Sequence, residues 1–345
     1  MANRHAIIDA PPLAPSPIMT MLRPARSHAA PAGTHGKRAV SVELAHITDP
    51  HLPLAGVRPA ELLGKRVLGW LSWTLRRRHA HRREALDAIL ADIRRQTESP
   101  HVVITGDLVN ISTRAEFTAA RQWLERLATP ENLTLIPGNH DFYVAAAARA
   151  AGGLLAPWMG GADIATPASF PFVRYVGNVA LIGLNSAYPA PWREASGRLG
   201  EDQLRRLEEI LRQCEKKGFC RVVLVHHPPL PALNTKPRKA LKDAGALART
   251  LATAGAELVL FGHTHRWACR EVPLAVADAP HDRKMLVLSA PSASMAPGRE
   301  APPAGWQHVR IGRSQGEWNI TVTRRALRAN GEVEEQQAFT RHCPA

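Results

Sequence analysis

Residues 132–141 read NLTLIPGNHD: a short apolar run, a proline, then a glycine followed by an amide, an imidazole and a carboxylate. The run suits a buried strand, which is short and aliphatic. The residues behind it place oxygen and nitrogen donors where the chain leaves that strand. The same grammar recurs on either side. VSVELAHI (40–47) leads to Asp49-Pro50-His51 and HVVIT (101–105) to Gly106-Asp107, while RVVLV (221–225) leads to His226-His227-Pro228 and ELVLF (257–261) to Gly262-His263-Thr264-His265. In open α/β sheets the loops beyond the carboxyl ends of strands meet in one crevice, so donors distant in sequence can share a site. Together these segments offer enough hard oxygens and imidazoles for two divalent or trivalent cations.

Between the strand runs lie amphipathic helical patterns. Residues 84–96 repeat apolar positions at Leu86, Ile89, Leu90 and Ile93, and residues 200–213 at Leu204, Leu207, Ile210 and Leu211, with charge on the opposite face. VALIGL (179–184) adds a further strand. From 268 to about 323 the chain changes to strand-like pieces such as MLVL (285–288), QHVRI (307–311) and WNITVT (318–323), separated by Pro, Gly and Ser. An α/β fold with mixed sheets enclosed by helices is expected over residues 39–325. Residues 1–38, rich in Pro and Ala, read as a disordered tail, or as residues upstream of a start at Met19 or Met21, with a transit peptide as the lesser reading. Residues 326–345 read as a polar, poorly ordered end.

With 345 residues and 45% apolar content the chain can bury a large core, although aromatics make up only 5%. Lys and Arg number 44 against 30 Asp and Glu, a formal charge of +14 that favours anionic partners. The four cysteines show no CxxC pair, so neither a thiolate zinc site nor a disulfide framework is suggested, and a reducing cytoplasm is the simpler home. No stretch approaches the roughly 20 apolar residues of a membrane-spanning helix, and the compact apolar run of a secretory signal is absent.

The segments differ in specificity. Asp-x-His and Gly-Asp are ordinary turn sequences when taken singly, and His226-His227 reads equally well as a surface pair before a Pro-rich turn. Gly138-Asn139-His140-Asp141 and Gly262-His263-Thr264-His265 are sharper. In this order the five blocks resemble the calcineurin-like metallophosphoesterase superfamily, without a substitution, over about residues 42–290. The surroundings, HHPP (226–229) included, are most similar to its cyclic-nucleotide phosphodiesterase-like branch. The resemblance implies a four-layer αββα sandwich, the metallo-dependent phosphatase fold, with a dinuclear centre at one edge of the sheets. It assigns Asp49, His51, Asp107 and His265 to one metal and Asp107, Asn139, His226 and His263 to the other, with Asp107 as the bridge. His140 would face the substrate as the imidazolium acid, Asp141 would hold and polarise it, and His227 would be structural. Mn²⁺, Fe²⁺/Fe³⁺ or Zn²⁺ suit these donors. The expected chemistry is hydrolysis of a phosphodiester, such as a cyclic nucleotide, by a metal-bridging hydroxide; bound metal lowers the pKa of water from about 15.7 to about 7.

Residues 61–83, ELLGKRVLGWLSWTLRRRHAHRR, lie between the first two blocks. From Lys65 to Arg83 there are seven Lys or Arg and no acid. A helix here puts Leu63, Val67, Trp70 and Leu71 on one stripe with Lys65, Ser72 and Arg76 opposite. The plain reading is a helix packed on the domain with a solvated basic face. The functional ones are a cap carrying Lys65 or Arg66 to a substrate phosphate, or a helix resting on anionic lipid. The latter motivates an alternative function, a membrane-associated pyrophosphohydrolase of a lipid-linked nucleotide such as a UDP-diacylglucosamine-type substrate. A non-catalytic scaffold is the alternative from another class, and it should have lost ligands. Nucleic acid is not an expected partner, since no recognition-helix or aromatic-platform pattern is present.

Overall fold

The computed structural model describes residues 41–344 apart from 63, 145–146, 148–152, 161–168, 276–282 and 300. The expected tail over 1–38, and Leu63 of the insert, lie outside the described residues. Two six-stranded sheets stack face to face. Strands β1 (Val42–Ile47), β2 (His101–Ile104) and β3 (Leu133–Leu135) run parallel in the first, and β10 (Gly305–Ser314), β11 (Glu317–Leu327) and β12 (Val333–Pro344) extend it antiparallel in the order β12-β11-β10-β1-β2-β3. The second contains β4 (Phe172–Val176), β5 (Val179–Gly183), β6 (Cys220–Val225), β7 (Leu258–Phe261), β8 (Ala268–Pro273) and β9 (Lys284–Ser289) in the order β4-β5-β6-β7-β9-β8, with β5, β6, β7 and β9 parallel.

Side chains alternate across each strand, so a strand buried on both faces must be apolar throughout. Val42 and Leu44 of β1, Val103 of β2, Val222 and Leu224 of β6, and Leu258 and Leu260 of β7 meet between the sheets. Ala45, Ile47, Val102 and Ile104 point the other way, onto Leu86, Ile89, Leu90 and Ile93 of a helix over Arg83–Gln96 and onto Phe117, Ala120 and Leu124 of another over Arg114–Leu127. Val223, Val225, Val259 and Phe261 face Leu204, Leu207 and Leu211 of Glu201–Lys216 and Leu247 and Leu251 of Ala244–Ala254. The result is the expected four-layer αββα sandwich, and both helical periodicities read from sequence fall on the faces that are buried. Asp92 ties the first helical layer to its sheet by accepting from Trp306 Nε1 at 2.8 Å and Arg325 Nε at 2.6 Å.

The end of the chain departs from the sequence reading. In place of a poorly ordered stretch from 326, β11 runs to Leu327 and β12 pairs along it. VEEQQAFTRHC is a charged edge strand whose apolar residues are few and widely spaced; Val333, Phe339 and Cys343 touch the core while most others face solvent. Charge on an edge blocks further pairing and also hides the strand from a hydrophobicity scan.

The insert folds as one helical run, Lys65–Ser72 followed by a wide turn over Trp73–Arg77 and a last turn at Arg78–Ala80. In chain order the longer helices are α1 (Lys65–Ser72), α2 (Arg83–Gln96), α3 (Arg114–Leu127), α4 (Glu201–Lys216) and α5 (Ala244–Ala254).

Candidate metal centre

All five donor segments leave the carboxyl ends of parallel strands, β1, β2 and β3 in one sheet and β6 and β7 in the other, and they converge where the two sheet edges meet. Their backbones turn sharply to do so. Asp49, His51, Asp107, His263 and His265 all adopt positive φ, between 39° and 67°. Left-handed backbone costs a non-glycine residue about 1–3 kcal/mol and collects at functional sites; Asp and His enter this region more readily than most. Two glycines make room. A Cβ on Gly138 would strike the Asp107 carboxylate and backbone nitrogen, and one on Gly106 would approach Gly138 N and His226 Nδ1 at 2.6 Å each.

The donors form two groups, Asp49–His51–His265 and Asp107–His226–His263, each with ligand atoms within 4.8 Å of one another. In the first, Asp49 Oδ1 lies 3.1 Å from His265 Nε2 and 3.9 Å from His51 Nε2. In the second, Asn139 Oδ1 lies 2.9 Å from His263 Nδ1 and 3.2 Å from His226 Nε2. Asp107 joins them, with Oδ2 3.5 Å from His226 Nε2 and 3.9 Å from His51 Nε2. Burial alone would raise the Asp107 pKa, but the imidazoles of His226, His140 and His51 hold it well below the usual range. Burial would lower that of His226, and the Asp107 carboxylate lifts it to about 9. A proton held between these two is one that a cation would displace. His263 Nε2 is buried without a hydrogen-bond partner. It is the other ring nitrogen, Nδ1, that turns into the group, 2.9 Å from Asn139 Oδ1 and 3.3 Å from His226 Nε2, and this cluster of carboxylate, amide and imidazole donors fits a bound divalent ion.

The residues flanking these groups behave differently from the sequence expectation. Asp141 does not touch the His140 ring. Its carboxylate accepts from three backbone amides, Gly138 at 2.8 Å, Leu108 at 2.9 Å and Val109 at 3.0 Å, and so pins the β2 and β3 loops together. Burial, then the nearby Asp107 charge, pushes its pKa up to about 7. The partner of His140 Nδ1 is instead the Asn110 carbonyl at 2.5 Å, and burial followed by the Arg77 guanidinium holds that imidazole down to about 4. At neutral pH His140 is therefore uncharged in this arrangement. His227 has both ring nitrogens engaged, Nδ1 with Ser186 Oγ at 2.8 Å and Nε2 with the Ala195 carbonyl at 3.2 Å, in keeping with a structural part.

The insert closes one side of the site, by means its sequence concealed. Lys65 Nζ donates to the Ala190 and Glu194 carbonyls and lies 4.5 Å over the Tyr143 ring, and Arg66 donates to the carbonyls of Ile111 and Ser112. These two cations fasten the helix to the domain. Val67, Leu68, Leu71 and Leu75 face solvent, and Trp73 is the buried anchor, its ring stacked on His81 at 6.4 Å and 12°. His81 in turn sits 4.4 Å from the His51 ring. One helical turn beyond Trp73, Arg77 reaches His51 Nε2 and His140 Nε2, each at 2.9 Å. Arg77 and His81 are the site residues that sequence patterns missed; in RRRHAHRR nothing but a one-turn spacing from Trp73 could have singled out Arg77, and nothing singles out His81. The donors open onto a cavity of about 1130 Å³ whose charged lining is Lys65, Arg76, Arg77, Arg193, Lys236, Lys239, Arg266 and Arg299 against Asp107 and Glu194, a field suited to an anionic substrate.

Comparison with known proteins agrees with this geometry. The model of the calcineurin-like phosphoesterase family matches residues 42–267. A dimetal phosphatase from Danio rerio resembles the chain with a TM-score of 0.56 and 13% identity, over 87% of this chain and 98% of the other. A purple acid phosphatase from yellow lupin (Lupinus luteus) does so at 0.50 and 13%, over 88% of this chain and 54% of the other, and PhoD at 0.50 and 10%, over 88% and 70%. At such identities the likeness is one of fold. No curated protein sequence matches the chain.

Because Asp141 clamps the loops, Asp141→Asn is expected to lower stability by about 1.5–3 kcal/mol, the scale of hydrogen bonds to a charged group, and to lower bound metal with it. His140→Ala should keep both. Thermal melts and elemental analysis decide; equal metal content in the two variants contradicts the clamp.

Proposed function

As a member of the calcineurin-like phosphoesterase family, the chain is a metal-dependent phosphoester hydrolase, and we propose that it cleaves a phosphodiester, a cyclic nucleotide being one candidate. In this reading Asp49, His51, Asp107 and His265 hold one cation, and Asp107, Asn139, His226 and His263 hold a second, with Mn²⁺, Fe²⁺/Fe³⁺ or Zn²⁺ as the ions their chemistry suits. The observation that carries it is Asp107, whose Oδ2 faces imidazoles of both groups. Bound cations supply Lewis-acid charge and a water of lowered pKa. The protein's own residues do the rest. The cationic lining draws in the phosphate, and a cavity of about 1130 Å³ is large enough to take a substituent on phosphorus besides the reacting group. His140 faces the reacting centre from outside both donor groups. Four free thiols favour a reducing, cytoplasmic setting.

With Mn²⁺ added, bis-p-nitrophenyl phosphate is expected to turn over faster than p-nitrophenyl phosphate. Asp107→Asn should abolish turnover and lose metal, while His140→Ala should keep metal and lose rate by no more than about 10²–10³, the scale of one charge-stabilising donor. Monoester turnover far above diester turnover would overturn the choice of substrate, and an Asp107→Asn enzyme with full metal and full activity would overturn the ligand assignment.

A second reading, a pyrophosphohydrolase of a lipid-linked nucleotide working at an anionic membrane, is favoured by where the exposed apolar side chains fall. Among the described residues the large exposed ones are Val67, Leu68, Leu71, Leu75, Tyr175 and Trp192. Four of these six lie on the insert, beside exposed Arg76 and Arg78. No helix among the described residues is long and apolar enough to cross a membrane, so contact would be peripheral. Val67 and Leu71 do not line the cavity, and Val67→Ser/Leu71→Ser should leave turnover of a soluble diester unchanged. The pair should reduce co-sedimentation with phosphatidylglycerol vesicles at least about tenfold, the scale of 1.4 kcal/mol of lost apolar burial. A parent chain that stays in the supernatant contradicts this second reading.

A further inference from the structure

We propose that Arg77, delivered by the insert, is the residue that grips the phosphoryl oxygens, and that His140 is its positioning residue. The inference rests on the hydrolase reading above and deepens it.

Arg77 is half-buried, yet among the described residues its guanidinium makes no ion pair with a carboxylate; it packs on the rings of His51 and His140, with the Asp107 and Asp49 charges acting on it from further off. A half-buried guanidinium with no direct anion keeps its donors free, and its planar fork matches a phosphate in two-pronged fashion. It lies between the first donor group, through His51, and His140, so it borders the place where the reacting phosphorus must sit. His140 turns Nδ1 to the Asn110 carbonyl, and Arg77 Nη1, 2.9 Å from Nε2 and 3.3 Å from Nδ1, lies against the face of that ring rather than on a nitrogen lone pair. The His140 ring, held by its bond to the Asn110 carbonyl, therefore positions Arg77 by packing against the guanidinium. Arg77 Nη2 lies 2.9 Å from Nε2 and 3.2 Å from Nδ1 of His51, likewise against the ring face, so the Nε2 lone pair stays available to a cation and the Nη2–H to a phosphoryl oxygen. Trp73 and Arg77, four residues apart, share one helical face. The buried, stacked Trp73 therefore fixes where the guanidinium arrives, while Thr74 Oγ1 bonds back to the Trp70 carbonyl at 2.8 Å and Lys65 and Arg66 fasten the start of the helix.

The test compares full-length Arg77→Met and Arg77→Lys with the parent, all loaded with Mn²⁺. Metal is counted by elemental analysis, inorganic phosphate binding is measured by calorimetry and diester turnover by rate. Arg77→Met is expected to keep its metal, to bind phosphate at least about tenfold more weakly, and to lose about 10²–10³ in kcat/KM, the scale of one lost charge-stabilising donor. Arg77→Lys should recover part of both, and added guanidinium ion should raise the rate of Arg77→Met but not of Asp107→Asn. If His140 acts through Arg77, adding His140→Ala to Arg77→Met should cost far less than it does alone. Phosphate affinity and turnover within twofold of the parent, or loss of metal in Arg77→Met, would overturn the inference. A metal-loaded parent that hydrolyses no phosphoester would instead overturn the hydrolase reading, and the phosphate titration would still report on Arg77.

Discussion

A buried carboxylate at the junction of two sheets is the constraint on which the rest of this structure depends. Asp107 is 2% exposed and accepts from the His140 amide at 2.7 Å through one oxygen while the other faces His226 and His51. An unpaired charge in such a place would cost several kcal/mol, so positive or donor groups must surround it. They come from four other loops, and bringing them close forces the backbone into left-handed turns at Asp49, His51, His263 and His265 as well as at Asp107 itself. Gly106 and Gly138 answer the same demand, since neither position has room for a side chain, and Asp141 locks the two loops by their amides.

The sandwich is the frame that makes such crowding affordable. Two parallel runs, β1-β2-β3 and β5-β6-β7-β9, present their carboxyl ends at one edge, and the interlocked aliphatic layers between and outside the sheets keep those ends fixed. Strain at the loops is thus set against burial far from them. To the cations the frame already turns toward the cavity the insert adds Arg77, beside the donor groups themselves. It is held by carbonyl contacts at Lys65 and Arg66 and by the Trp73 stack, and it carries its apolar residues outward.

Much of this was legible in the sequence because it follows from period and donor type. Aliphatic runs ending in Gly-Asp, Gly-Asn-His-Asp or Gly-His-Thr-His mark strand ends with ligands, and the two helical stripes at 86–93 and 204–211 fall on buried faces. What stayed hidden depends on contacts rather than pattern. β12 carries too few apolar residues to register as a strand, although it pairs along β11. Asp141 sits beside His140 in the chain, but its carboxylate turns to amides of another loop. In the insert, every cation looks alike in sequence; only packing separates Lys65 and Arg66, which bind carbonyls, from Arg77, which enters the site. Of the stripe that the plain reading packs on the domain, Val67 and Leu71 face solvent and Trp70 is half-buried, because Trp73, not Leu71, is the side chain the domain buries.

The central claim is that one carboxylate organises two cation sites. Anomalous X-ray diffraction from Mn²⁺-soaked crystals tests it most directly. The account predicts two peaks about 3.5–4 Å apart, the usual separation of paired catalytic metals, with the Asp107 carboxylate between them and His265 and His263 on opposite sides. A single peak, or two peaks with Asp107 bound to one alone, would contradict it.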